Sequence, residues 1–437
     1  MKQILINILF IAEILIGTNC SAQTLQEFIN TAMQNNYQIN IVKNEAQIAS
    51  NNNTIGNTGA FPTINANGTY LNSFNNTKQE FADGSVREGS NAKNTNLNAS
   101  VMMNWTIFNG FSIYAKRNQL NYLEELGQIN SKFYIEQTVS DIVAAYHQII
   151  YEKQLLNNYK QLLNISKFRL NLEEKRKKIG VEKATAYRQA LVDYQTDSIQ
   201  FLIQQNTINT LQIELNNILN NKLETELAIN DNEFDFLPFP TKYTLLQNVE
   251  NTNQQLAKQH LQELIAETEL RLIKANRSPK IDLFAGYQYV KTTSAVGFFN
   301  ANQTYGPTIG INVSFNLYNG GKTNTEIKNT KLYVENTSLT KQQINQQVNA
   351  DALILYNHYN SIASQISLAK SNVVEMNKVY RSAEEQLKKG SINGYDFRLT
   401  QLNLLNSELT LIQLKFALKT IEINLNRLSG QVLKAYM

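Results

Sequence analysis

The chain has 437 residues and a formal net charge of +4, with 40 Lys and Arg against 36 Asp and Glu. This near-neutral balance gives no electrostatic footprint for nucleic acid, so we expect no nucleic-acid partner. Only five prolines and 18 glycines occur, which favours long uninterrupted helices. A single cysteine excludes disulfides within the chain.

The N-terminus has the features of a secretory signal peptide. Lys2 precedes a short apolar run at 4–16, and small residues lead up to Ala22. We predict cleavage after Ala22, and lipid attachment at Cys20 is the less favoured alternative because Asn19 before it is not a small residue. No later apolar run approaches the about 18 residues of a membrane-spanning helix. An exported chain of this kind that enters a membrane must therefore do so as β-structure.

The first structural elements are predicted to be one helix and two strands. Over residues 24–58, apolar residues recur at spacings of three and four positions, which indicates a helix. Alternation starts at Ile64, the polar stretch 75–93 is predicted to be a loop, and alternation resumes from Leu97 to Ile107. Because the polar positions are nearly all Asn, Ser and Thr, we interpret this as a barrel strand with one face on lipid and one on water. A half-buried strand of a soluble domain would alternate too.

A long helix is predicted after each pair of strands. The stretches 111–178 and 322–388 contain no proline and almost no glycine. Each is roughly 67 residues, or about 100 Å at 1.5 Å per residue. Gly180 and Gly390 are expected to end these helices. Shorter return helices are predicted at about 184–221 and 395–429.

The chain is an internal duplication. The spacing is 210 residues between the strand ends and between the helix-ending glycines, and 217 residues between the segments that precede the first strands. We predict two structural repeats at 23–230 and 243–437, joined by a linker at 231–242. The repeated motifs are Trp105–Gly110 with Phe315–Gly320, Gly180 with Gly390, and Phe61-Pro62 with Ser278-Pro279.

The alternation assigns the strand residues to two faces. In the second repeat, the alternation of the last strand is expected to continue through Leu317. The predicted lipid-facing residues are Leu97, Val101, Trp105, Ile311 and Phe315, and the predicted water-facing residues are Asn98, Asn104, Asn312 and Asn316.

Four strands cannot close a transmembrane barrel, because known barrels have about eight or more. An open edge would leave backbone groups unpaired in hydrocarbon, so several copies must share one barrel. Three copies give 12 strands and a natural cyclic assembly. Two would give eight strands, whose interior side chains fill the lumen. The expected fold class is mainly α with β: a trimeric 12-stranded barrel continued by a tunnel of long coiled helices.

These features together resemble the TolC-like outer-membrane efflux protein family. The match covers essentially the whole mature chain and includes Thr24–Phe28, Asn35-Asn36, both strand-end motifs and both helix-ending glycines. The resemblance implies a homotrimer in the Gram-negative outer membrane with its helices in the periplasm. It implies a passive exit duct for a tripartite efflux or type I secretion system. Expected partners are outer-membrane lipid, a periplasmic adaptor protein and an inner-membrane transporter of the RND, ABC or MFS type.

The resemblance also assigns roles to particular residues. The turns at Gly180-Val181 and Gly390-Ser391 are expected to form the periplasmic tip and to contact the adaptor. Asp396, six residues after Gly390, is the candidate pore gate, and the alternative is an ordinary acidic residue at a helix start. The lipid-facing aromatic girdle is expected to include Trp105, Phe108, Phe315 and Tyr318.

No catalytic motif supports an enzyme, and no cofactor is expected. His147, His260 and His358 are far apart in sequence and form no His-x-x-x-His pair. Asp141 and Asp351 match across the duplication, and we interpret them as repeated structural or lumen positions rather than a catalytic pair. The alternative function is an exported coiled-coil scaffold or adhesin without a channel.

Overall fold

A computed structural model of the protein describes residues 24–179, 184–229, 231, 233–297 and 299–437. The predicted signal peptide at 1–22 and the turn residues Gly180 and Val181 lie outside these ranges. In chain order the elements are α1 (Leu25–Asn35), α2 (Tyr37–Asn52), β1 (Thr63–Glu80), β2 (Val86–Asn109), α3 (Ser112–Lys178), α4 (Ala184–Leu219), α5 (Lys242–Thr252), α6 (Gln254–Ala275), β3 (Lys280–Ser294), β4 (Ala301–Ser314), α7 (Lys322–Lys389), α8 (Gly394–Leu428) and α9 (Val432–Tyr436).

The two long helices confirm the sequence prediction within one or two residues. Helix α3 has 67 residues and α7 has 68. Basic residues occupy the last turn of each, where they complement the helix dipole. None of the helices in the described ranges is long and apolar enough to cross a membrane.

The prediction of a single helix over 24–58 is wrong, because the chain breaks at Asn36. The Asn36 side chain accepts a hydrogen bond from the Ile39 amide at 3.0 Å and donates to the Ile218 carbonyl at 2.7 Å. The second repeat contains the same break. There Asn253 accepts from the Leu256 amide at 3.0 Å and donates to the Leu428 carbonyl at 2.7 Å. The asparagine amide thus satisfies backbone groups that a helix break exposes.

The described residues form two compact units. The first contains α1, α4, α5, α8, α9 and the distal parts of α3 and α7. Its main core is a set of apolar side chains that are almost fully buried, each contributing about 1.5–3 kcal/mol by burial. These include Phe28, Ile29, Val139, Ile142, Val143, Tyr146, Ile149, Leu215, Leu219 and Ile423.

The second unit contains the β-sheet. Its four strands are antiparallel in the order β1-β2-β3-β4. Strands β1 and β4 pair on one side only among the described residues, so each leaves an open edge.

Two sequence predictions about the strands are wrong. The stretch 75–93 is not a loop, because β1 runs to Glu80 and β2 begins at Val86, with a register shift between Asn75 and Thr77. This part of the hairpin is polar on both faces, so its strands give no apolar alternation and depend on backbone pairing. Strand β4 also ends at Ser314 and not at Leu317, since β3 offers no partner beyond Lys280.

Candidate channel surfaces: the sheet face and the helix turn

The strand register gathers the predicted apolar positions onto one face of the sheet. Directly paired residues in antiparallel strands lie on the same face. Val101 pairs with Ala66 on one side and with Tyr287 on the other. The face contains Ile64, Ala66, Gly68 and Tyr70 from β1; Leu97, Ala99, Val101, Met103 and Trp105 from β2; Leu283, Ala285, Tyr287 and Tyr289 from β3; and Tyr305, Pro307, Ile309, Ile311 and Val313 from β4.

The opposite face is mainly polar. Asn98 pairs with Thr69, and Asn104 pairs with Thr63. The Thr106 hydroxyl donates to the Asp282 carboxylate at 2.7 Å across β2 and β3. A continuous apolar face and a hydrogen-bonding face therefore share one sheet.

The four predicted girdle residues lie near one end of this sheet. The Trp105 indole N–H donates to the Ala60 carbonyl at 2.8 Å. A bulge between Thr106 and Phe108 places Phe108 opposite Ile281. The expectation that Ile107 continues the alternation is therefore wrong, because the extra residue of the bulge resets the register. Phe315 and Tyr318 follow β4 and are exposed in the single chain.

The turn after α7 is a glycine-dependent helix end. Gly390 has φ of +76°, a left-handed conformation that glycine adopts without steric cost. Its amide donates to the Leu387 carbonyl at 3.1 Å, and the Ser391 amide donates to the Gln386 carbonyl at 2.8 Å. This pair of bonds is a Schellman motif. Behind the turn, Phe397 and Leu387 are almost fully buried.

Asp396 lies in the first turn of α8 and is exposed. Asn393 provides the N-cap, since its side-chain oxygen accepts from the amides of Tyr395 and Asp396 at 2.9 Å each. The Asp396 carboxylate is therefore not the capping group. The helix dipole still stabilises its negative charge at this N-terminus.

Sequence analysis missed a buried charge cluster next to this turn. Arg398 of α8 holds Asp197 of α4 with two hydrogen bonds, at 2.7 and 2.9 Å. The two side chains are 13% and 4% exposed. Ser166 of α3 donates to Asp197 and accepts from Arg398 at 3.2 Å. The cluster joins helices of both repeats, and its residues come from three distant parts of the sequence.

Two further ion pairs extend this cluster along α3. Arg169 contacts Asp193 at 2.5 Å, and Glu173 contacts Arg176 at 3.3 Å. The cavity beside the start of α8 has a volume of about 580 Å³, and its charged lining residues are Arg169, Glu173, Asp193 and Arg398. Charges this well buried are stable only when they are paired, so the helix ends depend on one another.

The repeated acids and the histidines form no common site. Asp141 and Asp351 each accept a hydrogen bond at 2.8 Å from the glutamine four residues earlier in the same helix. Burial is the main cause that raises the pKa of Asp141. His147 is buried, and desolvation together with the nearby Lys419 lowers its pKa to about 3. Within the described ranges, no three His, Cys, Asp or Glu side chains are grouped to hold a metal ion.

Comparison with known proteins gives a consistent result. Residues 245–431 match the family described as outer membrane efflux protein. CusC is similar at 15% identity and a TM-score of 0.76, over 94% of this chain and 92% of that one. The CmeC outer membrane channel of Campylobacter jejuni shows 13% identity and a TM-score of 0.76, over 93% of this chain and 85% of that one. VceC of Vibrio cholerae shows 14% identity and a TM-score of 0.76, over 93% of this chain and 96% of that one. No curated protein matches the sequence.

The mainly helical chain with its four-stranded sheet thus has the fold of outer-membrane channels. The resemblance to the TolC-like outer-membrane efflux family, stated from the motifs, is confirmed. Members of this family are channels rather than enzymes.

Proposed function

We propose that the protein is a trimeric outer-membrane duct that gives a passive exit to a tripartite efflux or type I secretion system. The observation that carries the proposal is the sheet, which has one continuous apolar face and an open edge on both sides. Contact with lipid keeps the apolar face out of water. In hydrocarbon, only neighbouring strands can form hydrogen bonds with the backbone groups of the two edges. Three copies supply 12 strands, a number within the range of known barrels.

The helices and their turns have a separate role in this proposal. The two repeats, 23–230 and 243–437 with the linker 231–242, place their long helices in the periplasm of a Gram-negative cell. The Gly390-Ser391 turn and its counterpart at Gly180-Val181 contact a periplasmic adaptor. The adaptor in turn connects the duct to an inner-membrane transporter of the RND, ABC or MFS type, and that transporter supplies the energy.

Fractionation and native mass test the proposal. We expect the protein to stay with the outer membrane, to require detergent for extraction, and to run as a particle of three subunits of at most 49.7 kDa each. A coiled-coil scaffold or adhesin would be released without detergent. A natively folded particle with the mass of one subunit would reject the shared barrel.

Asp396 is the proposed gate residue. Three copies of an exposed carboxylate at one level would form a ring that favours cations at a constriction. The exposed position of Asp396 and the capping role of Asn393 leave the carboxylate available for this purpose.

We predict that Asp396→Asn lowers the cation preference of the channel in planar bilayers and weakens block by multivalent cations, because three charges leave the constriction. Glu385→Gln removes the same charge from an exposed position on a different helix, α7, and serves as the control. An unchanged reversal potential and unchanged block in Asp396→Asn would show that the constriction lies elsewhere, while the duct itself would stand.

A further inference from the structure

A small polar cavity lies between helices of the two repeats. Its volume is about 180 Å³, and Glu136 of α3, Asp351 of α7 and Arg427 of α8 line it together with Gln254 at the break between α5 and α6. All of these residues belong to the first compact unit. None of the lining residues belongs to the Gly390 turn or to the sheet, so the cavity is separate from the channel surfaces described above.

Glu136 is a buried carboxylate that lacks a matching donor. The residue is 3% exposed, and its Oε1 atom accepts no hydrogen bond from the described residues. The Lys132 ammonium lies 3.9 Å from this oxygen, on a side chain that is half exposed. Burial raises the pKa of Glu136, and Lys132 offsets only part of that effect. A buried carboxylate is stable only when it is protonated, paired or bound to a cation.

Two further oxygen donors belong to the same lining. Asp351 accepts a hydrogen bond from Gln347 at one carboxylate oxygen, at 2.8 Å, which leaves its second oxygen for another ligand. Gln254 is 8% exposed, and its amide nitrogen donates to the Thr252 carbonyl at 3.1 Å, which leaves its side-chain oxygen. The available donors are therefore carboxylate and amide oxygens, the set that hard cations prefer.

The basic residue of the cavity does not neutralise its carboxylates. The Arg427 guanidinium donates to the Gln137 side-chain oxygen at 3.0 Å. In the ranges that the structure describes, no ion pair joins Arg427 to Glu136 or to Asp351. Two carboxylates against one guanidinium leave one negative charge in excess on the lining.

The duplication shows that the carboxylate of Glu136 belongs to one repeat only. Residues 210 positions apart correspond, so Gln347 matches Gln137 and Gln346 matches Glu136. The neighbouring glutamine is thus kept in both repeats, whereas the acidic residue occurs in the first alone. Because the second repeat builds the same long helix with an amide at this position, helix formation does not require the carboxylate.

We propose that this cavity binds a hard divalent cation of the size of Ca²⁺ between Glu136, Asp351 and the side-chain oxygen of Gln254. Ca²⁺ takes about six to eight oxygen ligands in irregular geometry, so water molecules complete its shell, whereas Mg²⁺ demands a regular octahedron. The ion ties α3 of the first repeat to α7 and to the α5–α6 break of the second. With only two carboxylates, we expect a dissociation constant on the order of 10⁻⁴–10⁻³ M. The site lies within one chain and does not depend on the proposed duct.

Calcium binding and hydrogen exchange test the site in the full-length protein after treatment with a chelator. The Asp396→Asn background keeps the proposed gate from contributing carboxylates. We expect one Ca²⁺ per subunit in equilibrium dialysis. Amides at the α5–α6 break, such as that of Leu256, which donates to Asn253, are expected to exchange about tenfold more slowly at a Ca²⁺ concentration ten times the dissociation constant. NaCl at matched ionic strength is expected to leave the exchange unchanged.

Glu136→Gln, which introduces the residue type of the second repeat, is expected to abolish both effects. Glu408→Gln is the matched control, because it removes another partly buried carboxylate whose pKa is raised by burial and which does not line the cavity. Asp351→Asn is the second variant and is expected to weaken binding at least tenfold if Glu136→Gln fails to fold. Exchange that Ca²⁺ slows no more than NaCl does, or slows equally with and without Glu136, would overturn the site.

Discussion

Val101→Arg is expected to destabilise the membrane-embedded sheet by about 2–4 kcal/mol per copy, the cost of arginine on the lipid face near the bilayer midplane. Val101 lies between Ala66 and Tyr287 on the apolar face and is 51% exposed in the single chain. Neither residue opposite it in the register is acidic, so lipid would surround the guanidinium. Because all three copies carry the change, the effect on the assembly is larger than on one subunit.

Ser100→Arg is the depth-matched control, since Ser100 is the neighbour of Val101 and points to the other face. It pairs with Asn67 and Gln288, so the guanidinium would have polar neighbours and water. Asn98→Arg, opposite Thr69, tests the same face at a second depth. Both are expected to cost much less than Val101→Arg.

Denaturant unfolding in lipid vesicles measures this difference directly. Trp105 is the single tryptophan of the chain and lies on β2, so its fluorescence reports on the sheet. A midpoint that moves to lower denaturant for Val101→Arg alone is the expected result. Equal tolerance of arginine at positions 100 and 101 would argue against membrane strands at these residues.

The regular parts of this fold could be predicted from the sequence, because each repeats a local pattern. Strict alternation identified the face that contains Val101, and uninterrupted helix-forming sequence gave α3 and α7 within two residues. The duplication then fixed the order of the elements. The helix break at Asn36 was missed, because an asparagine inside a helical pattern does not show that its amide will bond to Ile218 in a distant helix.

The same limit applies to the strands and to the buried charges. The polar half of the first hairpin forms through pairing of Lys78 with Glu88 and their neighbours, which no single strand reveals. The end of β4 at Ser314 depends on β3, which offers no partner beyond Lys280. The one signal for the charge cluster was the repeated arginine, Arg188 and Arg398, and it did not identify Asp197 as the partner.

Arg398→Met is expected to loosen the helix ends beside the Gly390 turn by about 3–5 kcal/mol, the usual cost of removing one member of a buried ion pair. The methionine has a comparable length, so the main change is the loss of charge. Asp197 would then remain almost fully buried with only the Ser166 hydroxyl as a partner. The free energy of local opening falls by the cost of this unpaired carboxylate.

Hydrogen exchange in the assembled protein measures this local opening. A fall of about 3 kcal/mol corresponds to roughly a hundredfold faster exchange of the amides in the first turns of α8, provided that opening is local. Arg188→Met, at the corresponding exposed position of the first repeat, is the control and is expected to stay within about 0.5 kcal/mol. Adding Asp197→Leu to Arg398→Met should restore much of the protection, since an apolar pair can replace a buried ion pair.

The double variant separates charge from packing at this site. If Arg398 stabilises the turn mainly through Asp197, protection falls in Arg398→Met and returns when both charges are absent. If Arg398 acts mainly by filling space, Arg398→Met loses little protection, because methionine fills most of the same volume. Unchanged exchange near Phe397 in Arg398→Met would show that the ion pair does not hold the turn. Because the ion pair and the sheet belong to different compact units, loss of the pair is expected to affect the turn while the sheet, measured by Trp105, stays intact.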